Sequence, residues 1–172
     1  VQPLVSRYRN DVLRLSLVLS AALYLAASAA ATAAGTISGR ASVIDGDTLE
    51  VNGISIRLDQ IDAPEIRQTC TTHLGKRWPC GEEAAEALYQ RVRQRVVHCV
   101  SVDLDRYGRT IGRCTLDGRD LGAWMVQQGW ALAFRRFGDA YVAEEREAER
   151  ARRGMWSGRF IAPWDWRRGL RD

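Results

Sequence analysis

Lysine is nearly missing from this chain: Lys76 is the only one among 25 Lys and Arg residues. Its basic chemistry is therefore arginine chemistry, planar forks suited to phosphate, although coding DNA of high GC content produces the same bias. Histidine is scarce as well, with only His73 and His98. Carboxylate clusters thus lack a matching His and Cys set. Cys70, His73 and Cys80 have neither zinc spacing nor a convincing fourth ligand. Charge of one sign is modest, 25 basic against 21 acidic residues for a net +4, which only weakly favours an acidic partner. The chain has no internal repeat, no interdomain linker and no low-complexity tract beyond one alanine run. What remains is 46% hydrophobic and 27% charged over 172 residues. That composition excludes disordered and collagen-like classes and suits one domain plus a short extra segment.

The extra segment is at the start. Arg7, Arg9 and Arg14 precede an apolar run from Leu15 to Ala31, and Ala31-Thr32-Ala33-Ala34-Gly35 follows. A basic start, an apolar middle and small residues at the end describe a secretory signal peptide. Residues 1–34 are expected to be that leader and residues 35–172 the mature domain. An uncleaved anchor is the alternative, because Leu15 to Ala34 is long enough to cross a bilayer. Export places the protein outside the cell or in the periplasm, with no membrane in the mature form.

Ile37 to Ile44 reads as a strand broken by Asp45-Gly46. Thr48 to Val51 and Ile54 to Leu58 flank Asn52-Gly53, a strong hairpin signal. Alternation places Leu49, Val51, Ile54, Ile56 and Leu58 toward a core, with Glu50, Ser55 and Arg57 on the other face. Gly81 to Arg95 reads as a helix with Ala84, Ala87, Leu88 and Val92 as its apolar stripe. Val96 to Leu104 and Arg109 to Leu116 form a strand pair. Asp120 caps a second helix through Gln128, packing Leu121, Trp124, Met125 and Gln128, with Gly129 as its stop. Asp139 caps a third, Ala140 to Arg153. Glu144, Glu145, Glu147 and Glu149 read as its solvated face. Five short strands with helices after the third and at the end predict an α+β fold: a small five-stranded barrel with three helices packed on it.

In an oxidising compartment the four cysteines predict two disulfides with three possible connectivities. A strand pairing centred between Arg106 and Tyr107 sets Cys99 directly opposite Cys114. Cys70 and Cys80 then pair across a polar loop.

Three clusters carry potential chemistry: Asp45-Gly46-Asp47-Thr48, Arg57-Leu58-Asp59-Gln60-Ile61-Asp62-Ala63-Pro64-Glu65, and Asp105-Arg106-Tyr107-Gly108-Arg109. Singly, each is an ordinary turn or strand end. Together, Asp47, Asp62 and Glu65 offer oxygen-only donors, which favour a hard cation, Ca²⁺ before Zn²⁺. Arg57 and Arg109 offer two forks for a phosphate. A cation, two guanidiniums and a carboxylate free to hold water are the parts of phosphodiester hydrolysis.

In order and spacing these clusters resemble the staphylococcal nuclease family, from about Ala41 to Trp156 and including Gly129-Trp130-Ala131 as a strand. The resemblance implies an OB-like five-stranded barrel with three helices and a calcium-dependent endonuclease hydrolysing DNA and RNA with little sequence preference, leaving 3′-phosphate ends. By position it implies Asp47 and Asp62 as calcium carboxylates, with the backbone carbonyl of Ala63. It implies Glu65 beside the attacking water, and Arg57 and Arg109 on the scissile phosphate. Arg106 and Tyr107 are expected to contact the nucleotide, and Phe134 to stack on a base or pack in the core. Arg106 stands where the family prototype has lysine, and Ala133 to Phe137 lacks the prototype's tyrosines. The chain is expected to act as a monomer without a stable protein partner. Two rival readings are a non-catalytic OB-fold nucleic-acid-binding module and a disulfide-stapled envelope protein with an interaction role. Both leave Arg57, Glu65 and Arg109 without the joint purpose that hydrolysis provides.

Overall fold

The computed structural model describes residues 35–171; the leader expected over residues 1–34 lies outside them. The chain opens with β1 (Thr36–Asp45), β2 (Thr48–Val51), β3 (Ile54–Leu58) and a short β4 (Ile61–Asp62). A small insertion follows, β5 (Cys70–Thr72) and β6 (Arg77–Trp78), leading into helix α1 (Cys80–Val92). Next come β7 (Val96–Leu104), β8 (Thr110–Leu116), β9 (Arg119–Asp120) and α2 (Leu121–Gln127). The chain then runs through β10 (Leu132–Ala133), α3 (Val142–Arg150), β11 (Gly158–Arg159) and α4 (Pro163–Arg167).

Strands β3, β2, β1, β7 and β8 lie side by side, and a parallel β3–β8 pairing closes them into a five-stranded mixed barrel. This is the OB-like α+β fold expected. β1 serves two partners: Thr36 to Arg40 pairs with β7, and Ala41 to Asp45 with β2. The Asn52-Gly53 turn forms as expected, with φ of 53° and 77°, the positive values that a tight hairpin turn of this kind requires. The β1–β2 register shifts between Val43 and Asp45, a bulge that re-aims the chain where the acidic turn begins.

The core takes Leu49, Val51, Ile56, Leu58, Val97 and Leu116 from the barrel, Leu88 and Val92 from α1, and Leu121, Met125 and Val126 from α2. Each fully buried Leu or Ile contributes about 1.5–3 kcal/mol. Ile54 departs from the alternation: it is 41% exposed, at the first strand position after the Asn52-Gly53 turn. On α2, Val126 rather than Gln128 joins the core, and Asp120 caps the helix by accepting from the amide of Ala123 at 2.8 Å. Cys99 and Cys114 are register partners and bonded, and Cys70 is bonded to Cys80.

The C-terminal third differs from the sequence reading. Gly129 ends α2 with φ of 75°, and the strand after it is Leu132–Ala133, pairing with Asp62 and Ile61, not Gly129 to Ala131. Helix α3 is shorter than expected, and Asp139 contributes its carbonyl to the amide of Val142 rather than a side-chain cap. Glu145 is not solvated: it is 5% exposed and accepts from the Ala133 amide at 3.0 Å and from Arg135. Met155, Leu132 and the Cys70–Cys80 disulfide form a second core, against which Trp78, Trp156, Phe160 and Trp164 pack. That packing holds α4, which has no periodic signature. Among the described residues, no helix is long and apolar enough to cross a membrane.

Candidate active site

The acidic turn after β1 is pressed into the protein. A Cβ on Gly46 would lie 2.7 Å from the Cβ of Ala63 and 3.0 Å from that of Ala84, so glycine permits the turn to nest between β4 and α1. The next residue, Asp47, is 3% exposed. Its Oδ1 accepts from Arg57 Nη1 at 2.7 Å and from the Thr48 hydroxyl at 3.2 Å, and its Oδ2 from the amide of Ala63 at 2.9 Å. Arg57, at the end of β3, reaches with its other nitrogen to Asp62 Oδ1, also at 2.7 Å. One guanidinium thus spans two buried carboxylates, Asp62 being fully buried.

Burial pushes the Asp47 carboxyl up to about 7; Arg57 and the Ala63 amide oppose this, while Asp45 and Asp62 add to it. Burial works against the charge of Arg57 too, but Asp47 and Asp62 outweigh it and hold that guanidinium more firmly protonated than usual. Carboxylate charge therefore exceeds what Arg57 alone neutralises.

Glu65 completes the group from the loop after β4. Its amide donates to the side-chain oxygen of Gln68 at 3.2 Å, and Gln68, fully buried, donates onward to the carbonyl of Ile161 at 2.7 Å. The Glu65 carboxylate accepts from Arg167 Nη1 at 2.7 Å, and Arg167 also takes Asp62, Nη1 to Oδ1 at 3.0 Å and Nη2 to Oδ2 at 2.6 Å. Burial opposes the Arg167 charge, but Asp62 and Glu65 raise its pKa well above the usual value.

Arg109 stands apart from these carboxylates. In the parallel β3–β8 register Ile111 is the partner of Arg57, and Arg109 lies just before β8, at the end of the β7–β8 hairpin loop. Asp105 grips it, accepting from its Nε at 2.7 Å and from its amide at 2.9 Å. At the hairpin tip Tyr107 is 70% exposed, with the Arg106 guanidinium 4.8 Å and the Arg109 guanidinium 5.8 Å from its ring centroid. This tip presents the Tyr107 ring and the Arg106 guanidinium to solvent, with Arg109 held behind them by Asp105.

Phe134 follows β10, its amide bonded to the Gln60 carbonyl at 2.8 Å in the turn between β3 and β4. Its ring stacks on Trp164 with centroids 5.4 Å apart and planes 3° apart, and meets Phe137 edge-on at 5.0 Å. A shallow cleft of about 210 Å³, lined by Ala133, Phe134, Arg135, Arg136 and Trp164, opens there.

The structure thus gathers Asp47, Asp62, Arg57 and Glu65 into one network, while Arg109 joins Asp105 and Tyr107 in the β7–β8 hairpin and Phe134 joins Trp164. Sequence reasoning missed Gln68, Trp164 and Arg167. The only signal for the last two was the aromatic and basic run Trp164-Asp165-Trp166-Arg167 in an aperiodic tail. Among the described residues no three His, Cys, Asp or Glu side chains converge as a ready metal cage. The donors of Asp47 and Asp62 are all oxygen, the class a hard divalent cation takes.

The sequence profile of the family described as staphylococcal nuclease homologue matches residues 55–158. The chain belongs to the staphylococcal nuclease family. Among its relatives, a micrococcal nuclease of Shigella flexneri is 34% identical over 148 residues, 76% of this chain and 79% of the relative. Protein ParB of Escherichia coli is 38% identical over 144 residues, 73% of this chain and 76% of the relative. The succinoglycan biosynthesis protein ExoI of Rhizobium meliloti (strain 1021) is 42% identical over 98 residues, 56% of this chain. The chain spans only 51% of ExoI. Membership and the nuclease-named relatives support a nuclease function. The match covers Arg57, Asp62, Glu65, Arg109 and Phe134 and ends before α4.

Proposed function

We propose that the protein is a calcium-dependent endonuclease that hydrolyses phosphodiester bonds of DNA and RNA with little sequence preference. The observation that carries this reading is the single network joining Asp47, Arg57, Asp62 and Glu65. Asp47, Asp62 and the carbonyl of Ala63 would hold the Ca²⁺, which when bound supplies positive charge against a phosphate oxygen.

The chain's own groups do the rest. Arg57 and Arg109 bind the scissile phosphate and offset charge as phosphorus becomes five-coordinate. Glu65, at the open end of the network, orients the attacking water and accepts its proton. Cleavage on the 5′-oxygen side leaves a 3′-phosphate, with Arg109 beside the departing oxygen. Tyr107 and Arg106 at the hairpin tip hold the nucleotide, and the Phe134 ring supplies a face for a base.

The two disulfides support an oxidising, extracellular or periplasmic location, reached through a cleaved leader over residues 1–34. Residues 35–172 form the nuclease domain, acting as a monomer. A second reading, a non-catalytic nucleic-acid-binding module, draws on one observation: guanidiniums already meet both carboxylate oxygens of Asp62. Digestion of DNA and RNA by the purified protein in Ca²⁺ and then in excess chelator separates the two. Cutting that stops with the chelator supports the nuclease; binding without cutting in Ca²⁺ moves the reading to the module.

A further inference from the structure

Helix α4 enters the site from beyond the family match, which ends at residue 158. It sends two side chains to two different parts of the site. Arg167 chelates both oxygens of Asp62 and bonds Glu65, while Trp164 lies flat on Phe134.

A guanidinium chelating a carboxylate and a cation bound to that carboxylate are alternatives. Both are positive, and both need the same lone pairs. Arg57 takes a further share of Asp62 Oδ1, so each Asp62 oxygen already faces a guanidinium. Asp62 is fully buried, whereas the Arg167 side chain is 39% exposed. On release, the arginine returns to water at little cost, and the carboxylate is left needing a new positive partner. An arriving divalent cation is such a partner. The helix itself spans only Pro163–Arg167, and apart from the Arg167 bonds it is held by Trp164 on Phe134 and the second core, by the buried Pro163 and by the Gln68 bond to Ile161 just before it. Short elements with few such anchors open at low free energy.

We propose that α4 is a displaceable clasp, in which Arg167 occupies Asp62 and Glu65 in place of the cation and Trp164 covers the Phe134 ring. This rests on the reading of Asp47 and Asp62 as cation ligands. The cation and Arg167 then compete, so removing Arg167 tightens cation binding, the reverse of what loss of a supporting ion pair does.

The test is a calorimetric titration of metal-free purified protein with Ca²⁺, for wild type, Arg167→Ala, Trp164→Ala and Arg168→Ala. Arg167→Ala is expected to bind Ca²⁺ about tenfold more tightly, the scale of one charged, half-exposed hydrogen-bonded pair. Trp164→Ala, which loosens the clasp without touching a carboxylate, shifts affinity the same way by a smaller factor. Arg168→Ala, whose guanidinium pairs with Asp165, leaves it unchanged. Unchanged or weaker affinity in both Arg167→Ala and Trp164→Ala, with native circular dichroism, overturns the clasp while leaving the cation site standing. Binding by neither the wild type nor any variant overturns the cation site, and the clasp with it.

Discussion

Gly81 of α1 lies so close to Glu65 that a Cβ on it would sit 1.8 Å from the Glu65 carbonyl oxygen. The contact is backbone on backbone, and the Gly81 amide also donates to the Gln68 carbonyl at 3.2 Å. Helix α1 therefore sets the position of the loop that carries the expected water-orienting carboxylate.

Gly81→Ala is expected to force that loop and α1 apart, lowering stability by about 1–3 kcal/mol, the usual cost of overpacking. Turnover falls with it, because Glu65 moves. Chemical denaturation followed by circular dichroism checks the first effect; an unchanged midpoint would show that the loop yields freely.

Replacing both Cys99 and Cys114 by serine opens a cross-link with sequence separation 15. The chain-entropy model assigns such a loop about 3 kcal/mol. The melting temperature should drop, and activity below the new midpoint should persist, since neither cysteine touches the site. A melting temperature equal to wild type would contradict this.

Asp105 supplies a pH dependence. Burial pushes its carboxyl up, but hydrogen bonds from the Arg109 side chain and from the Arg109 and Tyr107 amides outweigh this and hold it below its ordinary 3.8. A depressed folded-state value means a contribution fully present above the unfolded value and lost as pH falls through the folded one. Asp105→Asn should therefore flatten the acid limb of the stability curve below about pH 4. Urea titrations at several pH values read this directly, and an acid limb as steep as wild type would remove Asp105 from the account.

Much of the barrel is legible because short-range rules agree there. Leu49 and Val51, then Ile56 and Leu58, alternate with polar residues across an Asn-Gly turn, and one register places both strand cysteines opposite each other. The site is legible where three turn clusters fall in a known order. Arg167 is not legible, since it lies 105 positions from Asp62 and its helix follows no apolar period. What places it is tertiary packing of Trp164 on a second core. Glu145 misleads for a related reason. Its charged neighbours suggest a solvated face, whereas the exposed-looking position covers the amide of Ala133 on a two-residue strand. Pairings as short as Leu132–Ala133 on Ile61–Asp62 carry no periodicity to read.

Phe134→Ala separates base contact from chemistry. It is expected to raise KM for nucleic acid about 5- to 150-fold through loss of about 1–3 kcal/mol of stacking, with kcat little changed. Steady-state kinetics on a short single-stranded oligonucleotide measures both. A fall in kcat with KM unmoved would place Phe134 in the support of Glu65 rather than under a base.

The most direct measurement is the turnover of Glu65→Gln beside wild type on one DNA substrate in saturating Ca²⁺, both proteins showing native circular dichroism. The account predicts a loss of about 10²- to 10⁴-fold in kcat, the range for removing a positioned general base. Turnover equal to wild type would contradict the assignment of Glu65, and with it the proposed site.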